Sequence, residues 1–201
     1  MRVLYVIACA AGAAPEVGRL VDQAQQHHWD VHLIATPAAL DFLDISGLEA
    51  RTGHAVRSEH RRADAGSARS LPRADAIIVA PATYNTINKW ALGVSDNYAL
   101  GILAESIGLG IPTVVLPFVN AALAAHPAFQ HSVAVLRDAR VAVLLGPGEF
   151  EPHPPGTGGN RLDSFPWHRA LDQADALTAP EDARSSGPGR SPHAADELTS
   201  D

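Results

Sequence analysis

The chain has 201 residues, 46% hydrophobic and 18% charged, long enough to bury the core of one α/β domain and too apolar to stay unfolded. With 15 basic against 22 acidic residues, a formal net charge of -7 and Lys89 as its one lysine, it lacks the clustered cations that nucleic-acid binding draws on. The single cysteine, Cys9, excludes an internal disulfide framework and points to a reducing, cytoplasmic setting, while no run reaches the roughly 18 apolar residues of a membrane span.

Val3 to Ala8 (VLYVIA) is a short apolar run rich in β-branched residues, the pattern of a strand buried on both faces of a parallel sheet. After a small-residue loop, Pro15 can open a helix in which Val17, Leu20, Val21 and Ala24 fall on one face. Val31 to Ala35 reads as a second strand, followed by Thr36 as an N-cap, Pro37 at the first helical position and a short helix to Leu43. Ser46 to Pro72 has weak periodicity and many Arg, Asp and His residues, and reads as a mobile excursion. Ala76 to Ala80 (AIIVA) restores a buried strand that Pro81 is expected to close. Helices follow at Thr86 to Gly93 and Asn97 to Gly108, the second capped by Ser95 or Asp96. Thr113 to Leu116 is a fourth strand, Phe129, Val133 and Leu136 mark another helix, and Val141 to Leu145 is a fifth strand. Strands alternating with helices imply a doubly wound parallel sheet of flavodoxin or Rossmann type in three layers, with a ligand crevice at the strand carboxyl ends. The domain is expected to run over residues 1–177. Its part from 146 to 177 is Pro- and Gly-rich and reads as a loop or lid anchored by Phe165 and Trp167, and residues 178–201 read as a disordered tail.

The stretch richest in potential chemistry is APATYNTINKWALGVSDN, Ala80 to Asn97. A strand ends and a turn of hydroxyl and amide residues opens a helix, which offers backbone N–H groups and small donors to an anionic or heteroaromatic ligand. The plainer reading, a helix-capping loop and nothing more, accounts for the same residues. His28 and His32 have helical metal-pair spacing, but Asp30 sits between a helix end and a strand, so no metal site is expected. Cys9 reads as a small buried residue, Tyr84 as packing and Trp90 as core or subunit contact.

Pro81-Ala82-Thr83-Tyr84-Asn85-Thr86, with Asp96-Asn97 after it, resembles the PASANT motif and later acidic step of the homo-oligomeric flavin-containing cysteine decarboxylases, a flavoprotein family that includes phosphopantothenoylcysteine decarboxylase and the lantibiotic peptidyl-cysteine decarboxylases. The resemblance extends from Val3 to about Leu145. It implies that FMN, or FAD in its place, is held by the first loop (Ala8, Cys9, Ala10), by Thr36, by Pro81, Ala82, Thr83, Tyr84, Asn85 and Thr86, and by Asp96 and Phe118. Pro117-Phe118-Val119-Asn120 matches a motif whose Asn holds the substrate carboxylate, so Asn120 is the expected substrate residue. Val119, Leu123 and Ala124 replace the Met, Met and Trp of the fuller motif. Ala also replaces Gly and Ser in the first loop.

Two departures bear on catalysis. The family histidine lies eight residues before the Asp that opens the PASANT strand, and counting back from Asp75 reaches Ser67. Serine is no base near neutral pH without an activator of its own, which leaves His60 and His54 upstream as the available imidazoles. Nothing after Cys9 supplies a second cysteine to return electrons to an enethiol. The resemblance therefore implies an FMN-dependent oxidative decarboxylase of a cysteinyl carboxylate, small molecule or peptide, working as a homo-oligomer in threes. The alternatives are a flavin-binding regulatory or carrier protein that lost its base, and a nucleotide- or partner-binding domain without flavin.

Overall fold

The computed structural model describes residues 1–59 and 71–180. Five strands, β1 (Arg2–Ala8), β2 (Trp29–Ala35), β3 (Ala76–Ala82), β4 (Thr113–Pro117) and β5 (Ala142–Val143), form one sheet in the order β2-β1-β3-β4-β5. Every pairing is parallel. Parallel strands need crossovers, and among the described residues seven α-helices supply or flank them: α1 (Gly18–Gln26), α2 (Ile45–Thr52), α3 (Tyr84–Ala91), α4 (Tyr98–Leu109), α5 (Ala121–Ala124), α6 (Pro127–Asp138) and α7 (Trp167–Thr178).

The sheet divides the interior in two because successive side chains leave a strand on opposite faces. Leu4, Val6, Trp29, Val31, Leu33, Ile78 and Leu116 pack with α1 and α7 on one side. Tyr5, Ile7, Ile34, Ile77, Val79 and Val115 pack with α3, α4 and α6 on the other. This is the three-layer α/β architecture expected from the alternation of elements. Strand order reverses between β1 and β3, and in an open α/β sheet such a switch point leaves a crevice beyond the strand carboxyl ends.

Several local expectations are corrected. Pro81 does not close β3: the strand runs on to Ala82, with a register shift against β4 between Val79 and Ala82, and the Pro81 carbonyl accepts the Cys9 N–H at 3.1 Å. The first part of the expected excursion holds α2, capped by the Asp44 carboxylate accepting from Gly47 N–H at 3.0 Å. Its apolar pattern is thin, with Leu48 its one buried residue. The chain then returns beside β2, where Arg57 bridges to Ile34. Thr36 stands before a short 3-10 turn (Pro37–Phe42), but its side chain caps nothing. Asn97, not Ser95 or Asp96, caps α4, its Oδ1 accepting from Leu100 N–H at 3.0 Å, and α4 runs through Gly108 to Leu109, with Gly110 (φ 64°) as its C-cap. The last third of the expected loop or lid is helical. Trp167, Ala170, Leu171 and Ala174 of α7 are buried, and Asp175 ties that helix to Arg2 at 2.8 Å, His27 at 2.7 Å and the Trp29 indole N–H at 3.1 Å.

Candidate functional site

A cleft of about 550 Å³ opens where the first three strands end, walled by Ala10 after β1, Thr36, Pro37 and Ala38 after β2, and Thr83, Tyr84, Asn85 and Thr86 at the start of α3. Lys89, Asp96, Asn97 and Leu100 complete it. Its size is that of a small-molecule or cofactor site.

Each wall has a local cause. Thr83 adopts extended backbone at the end of β3 and its Oγ1 accepts the Thr86 N–H at 3.3 Å, which starts α3 and turns the N-terminus of that helix toward the cleft. The Thr83 and Thr86 hydroxyls lie 3.0 Å apart. That helix end carries positive partial charge and unpaired N–H groups, a setting that favours an anion. Thr36 is nearly buried, 7% exposed, and its N–H donates to the Ala8 carbonyl, so the first two strand ends are fixed to one another. Lys89 pairs with Asp96, and that contact holds the Asp96 carboxyl below the usual carboxylate range.

Of the residues expected at a cofactor, Ala10, Thr36, Thr83, Tyr84, Asn85, Thr86 and Asp96 are gathered in this one cleft. The others stand behind it. Ala8, Cys9 and Ala82 are fully buried and Pro81 lies inside β3, so these residues shape the cleft through the backbone. Burial pushes the Cys9 thiol up, against hydrogen bonds with the Thr86 side chain and the Thr83 backbone, which keeps it a protonated, packed group rather than a thiolate. Phe118 is not a wall. Its ring packs against Phe150, His153 and Phe165 at 6.1, 4.9 and 5.4 Å, beneath the segment that follows β5. Tyr84 is a wall and also packs, stacking on Phe129 at 5.5 Å.

Asn120 ends the loop after β4 and caps α5, its Oδ1 accepting from Leu123 N–H at 2.9 Å. That bond fixes the amide orientation and leaves Nδ2 as the donor end of the side chain. The segment after β5 meets it through a bridge to His153, whose carbonyl accepts the Ala121 N–H at 2.8 Å. Ser67 and His60 lie outside the described residues. His54 is held elsewhere, 2.7 Å from Asp30, and among the described residues no histidine lines the cleft.

Sequence reasoning missed Lys89 as a wall. The signal was present: Lys89 stands four residues after Asn85, hence on the same helical face, and is the chain's one lysine. Asn97, expected as the first residue of a helix and as part of an acidic step, both caps α4 and faces the cleft.

A family model described as Flavoprotein matches residues 1–158. Among curated proteins, the chain is 31% identical over 88 residues to a cysteine/cysteine sulfinic acid decarboxylase from an unknown prokaryotic organism, covering 44% of this chain and 23% of that one. It is 29% identical over 137 residues to the coenzyme A biosynthesis bifunctional protein CoaBC of Bacillus subtilis strain 168, covering 65% of this chain and 33% of that one. The chain thus spans only 23% and 33% of the lengths of these relatives. Among solved structures, it superposes on the FMN-dependent cysteine decarboxylase TvaF from thioviridamide biosynthesis with TM-score 0.63 and 23% identity, over 87% of this chain and 98% of that one. It superposes on the FMN binding protein AtHal3 with TM-score 0.62 and 18% identity, over 81% and 94% of the two chains. These structural likenesses establish the shared fold.

Proposed function

The chain belongs to the Flavoprotein family, and from that premise we propose that its cleft holds FMN and that the protein is a flavin-dependent oxidative decarboxylase of a thiol-bearing, cysteinyl carboxylate. The observation that carries this reading is the convergence of Thr36, Thr83, Asn85, Thr86 and Lys89 on one cleft at the sheet's switch point. The donor set fits the group: a helix N-terminus and an ammonium suit a phosphate, while hydroxyls and an amide suit the polar edge of a heteroaromatic ring. FMN rather than FAD follows from the neighbours named for FMN.

When bound, flavin would supply the two-electron oxidation of the substrate's thiol-bearing carbon, after which the carboxylate leaves as carbon dioxide. Thr83 and Thr86 would hold the cofactor through their hydroxyls, with Lys89 supplying charge beside the acidic Asp96. Asn120 would orient the substrate carboxylate through Nδ2. Phe150, His153 and Phe165, closed over Phe118, would keep water from that end of the site. The thiol proton needs an acceptor, and His60 stays the candidate imidazole for it, since Ser67 at the family position is no base without an activator of its own.

The test is the visible spectrum of the purified protein before and after addition of FMN and removal of the excess, followed by carbon dioxide release from cysteine-terminated peptides. Flavin bands that persist, together with carbon dioxide release, support the whole reading. A protein that stays colourless overturns it. A second reading, a flavin-binding protein without turnover, is favoured by Ser67, which stands where the family resemblance places its histidine, and bound flavin without carbon dioxide release would establish it. We also infer a homo-oligomer, built in threes as the family resemblance implies, and a cytoplasmic location. Leu92 and Leu109, 72% and 59% exposed at the ends of α3 and α4, support self-association.

A further inference from the structure

Asp30 and His32 are two residues apart on β2 and so leave the sheet on the same face. That face, on the side away from α1, meets the returning chain after α2, in which Arg57 bridges to Ile34 and His54 lies three residues before it. The His54 Nε2 comes within 2.7 Å of Asp30 Oδ1, and the His32 Nε2 within 3.4 Å of Asp30 Oδ2. The two imidazoles are stacked, their centroids 4.0 Å apart and their planes 18° from parallel. One ligand atom from each of the three residues lies within 4.8 Å of the other two.

Hydrogen bonding alone does not satisfy this group. His32 is 6% exposed, and its buried Nε2 makes no well-formed hydrogen bond: the acceptor facing it, Asp30 Oδ2, stands 3.4 Å away while His54 takes the other Asp30 oxygen at 2.7 Å, a poorly met buried polar atom of the kind native structures avoid unless something completes the site. Both rings cannot carry charge at this separation without repelling one another, so two ion pairs to one carboxylate are not a solution either. A divalent cation at the convergence point satisfies both imidazoles and the carboxylate together. Two imidazole nitrogens and a carboxylate oxygen are the donor set of zinc and its first-row neighbours, and three protein ligands leave a coordination position open. Here that position would face a cleft of about 650 Å³ whose other walls are Ala55, Arg57, Leu71 and Pro72.

We propose that Asp30, His32 and His54 form a zinc site with one coordination position open to this cleft. The site stands apart from the flavin cleft, since Thr36 lies four residues further along the chain from His32, about 13 Å at the rise of a strand, and it does not depend on the flavin reading. It joins the edge strand β2 to the chain that returns from α2. Its open position takes water or a small carboxylate.

The test uses the full chain, stripped with a chelator, titrated with Zn²⁺ and separately with Co²⁺, and dialysed against metal-free buffer. Retention of about one ion per chain is expected, with affinity reduced by more than about 100-fold in His54→Ala. His54 is partly exposed at the cleft, so its truncation leaves the core intact. Asp30→Asn should weaken binding in the same sense, and His28→Ala, at an exposed turn before β2, should not. The Co²⁺ spectrum should show imidazole and carboxylate ligation and should change on addition of acetate, which reads the open position. Failure of the wild-type chain to retain an ion, or retention unchanged in His54→Ala, overturns the site. A Co²⁺ spectrum unmoved by acetate or other small anions overturns the open position.

Discussion

Thr83 serves two ends at once, capping α3 through Oγ1 and standing in the wall of the flavin cleft. Thr83→Ala should therefore lower stability by about 1 kcal/mol, the worth of an N-cap, and weaken FMN binding, whereas Thr83→Ser should restore both. Denaturant unfolding and a flavin fluorescence titration separate the two effects. Tyr5 offers a pH test. Its hydroxyl donates to the Pro72 carbonyl at 2.5 Å, and burial, helped by Tyr98 and opposed by Arg57, pushes the phenol up to about 12. The unfolded phenol titrates near 10, so the folded form binds the proton more tightly. The stability this confers is present below about pH 10 and is lost as pH rises towards 12. Tyr5→Phe should remove that contribution to the alkaline fall, measured by thermal unfolding across the window. At this scale the cleft residues were legible where the chemistry lay in one motif, as at Thr83 to Thr86. They were not where the partner came from across the chain. No spacing rule links Asp30 to His54, because the return of the chain beside β2 is a tertiary fact.

α7 shows what element-level reading loses. Trp167, Ala170, Leu171 and Ala174 follow a helical period, yet the Pro- and Gly-dense run before them and the small size of alanine hid it. The helix covers the β3 and β4 face, and Trp167 meets Phe165 edge-on at 4.7 Å. Trp167→Ala should cost about 3–5 kcal/mol, seen as a lower denaturant midpoint at unchanged slope. α2 was missed for the opposite reason, a pattern with too few apolar positions to announce a face. The five strands were legible because strands buried on both faces are continuous apolar runs, which the loops interrupt sharply. Their ends were less so. Pro81 misled because a proline rule for central ladders overlooks a strand whose register slips at that point.

At the scale of the molecule, the sheet separates two apolar layers, with α7 packed on one and α3 on the other. The apolar ends of α3 and α4 project from that second side, and Leu92→Asp with Leu109→Asp should reduce the mass measured by light scattering if they seat neighbouring copies. A mass unchanged from wild type would remove these leucines from the interface. β2 is an edge strand, and edges invite pairing with other chains. The Ala35 N–H donates to the Arg57 carbonyl at 2.7 Å, and the Arg57 N–H donates to the Leu33 carbonyl at 3.1 Å. One residue thus occupies the outer hydrogen-bonding positions beside the strand that leads to Thr36. The short return after α2 serves as a guard against aggregation, and Arg57→Pro, which takes away the donated N–H, would turn that protected margin into a template for another chain.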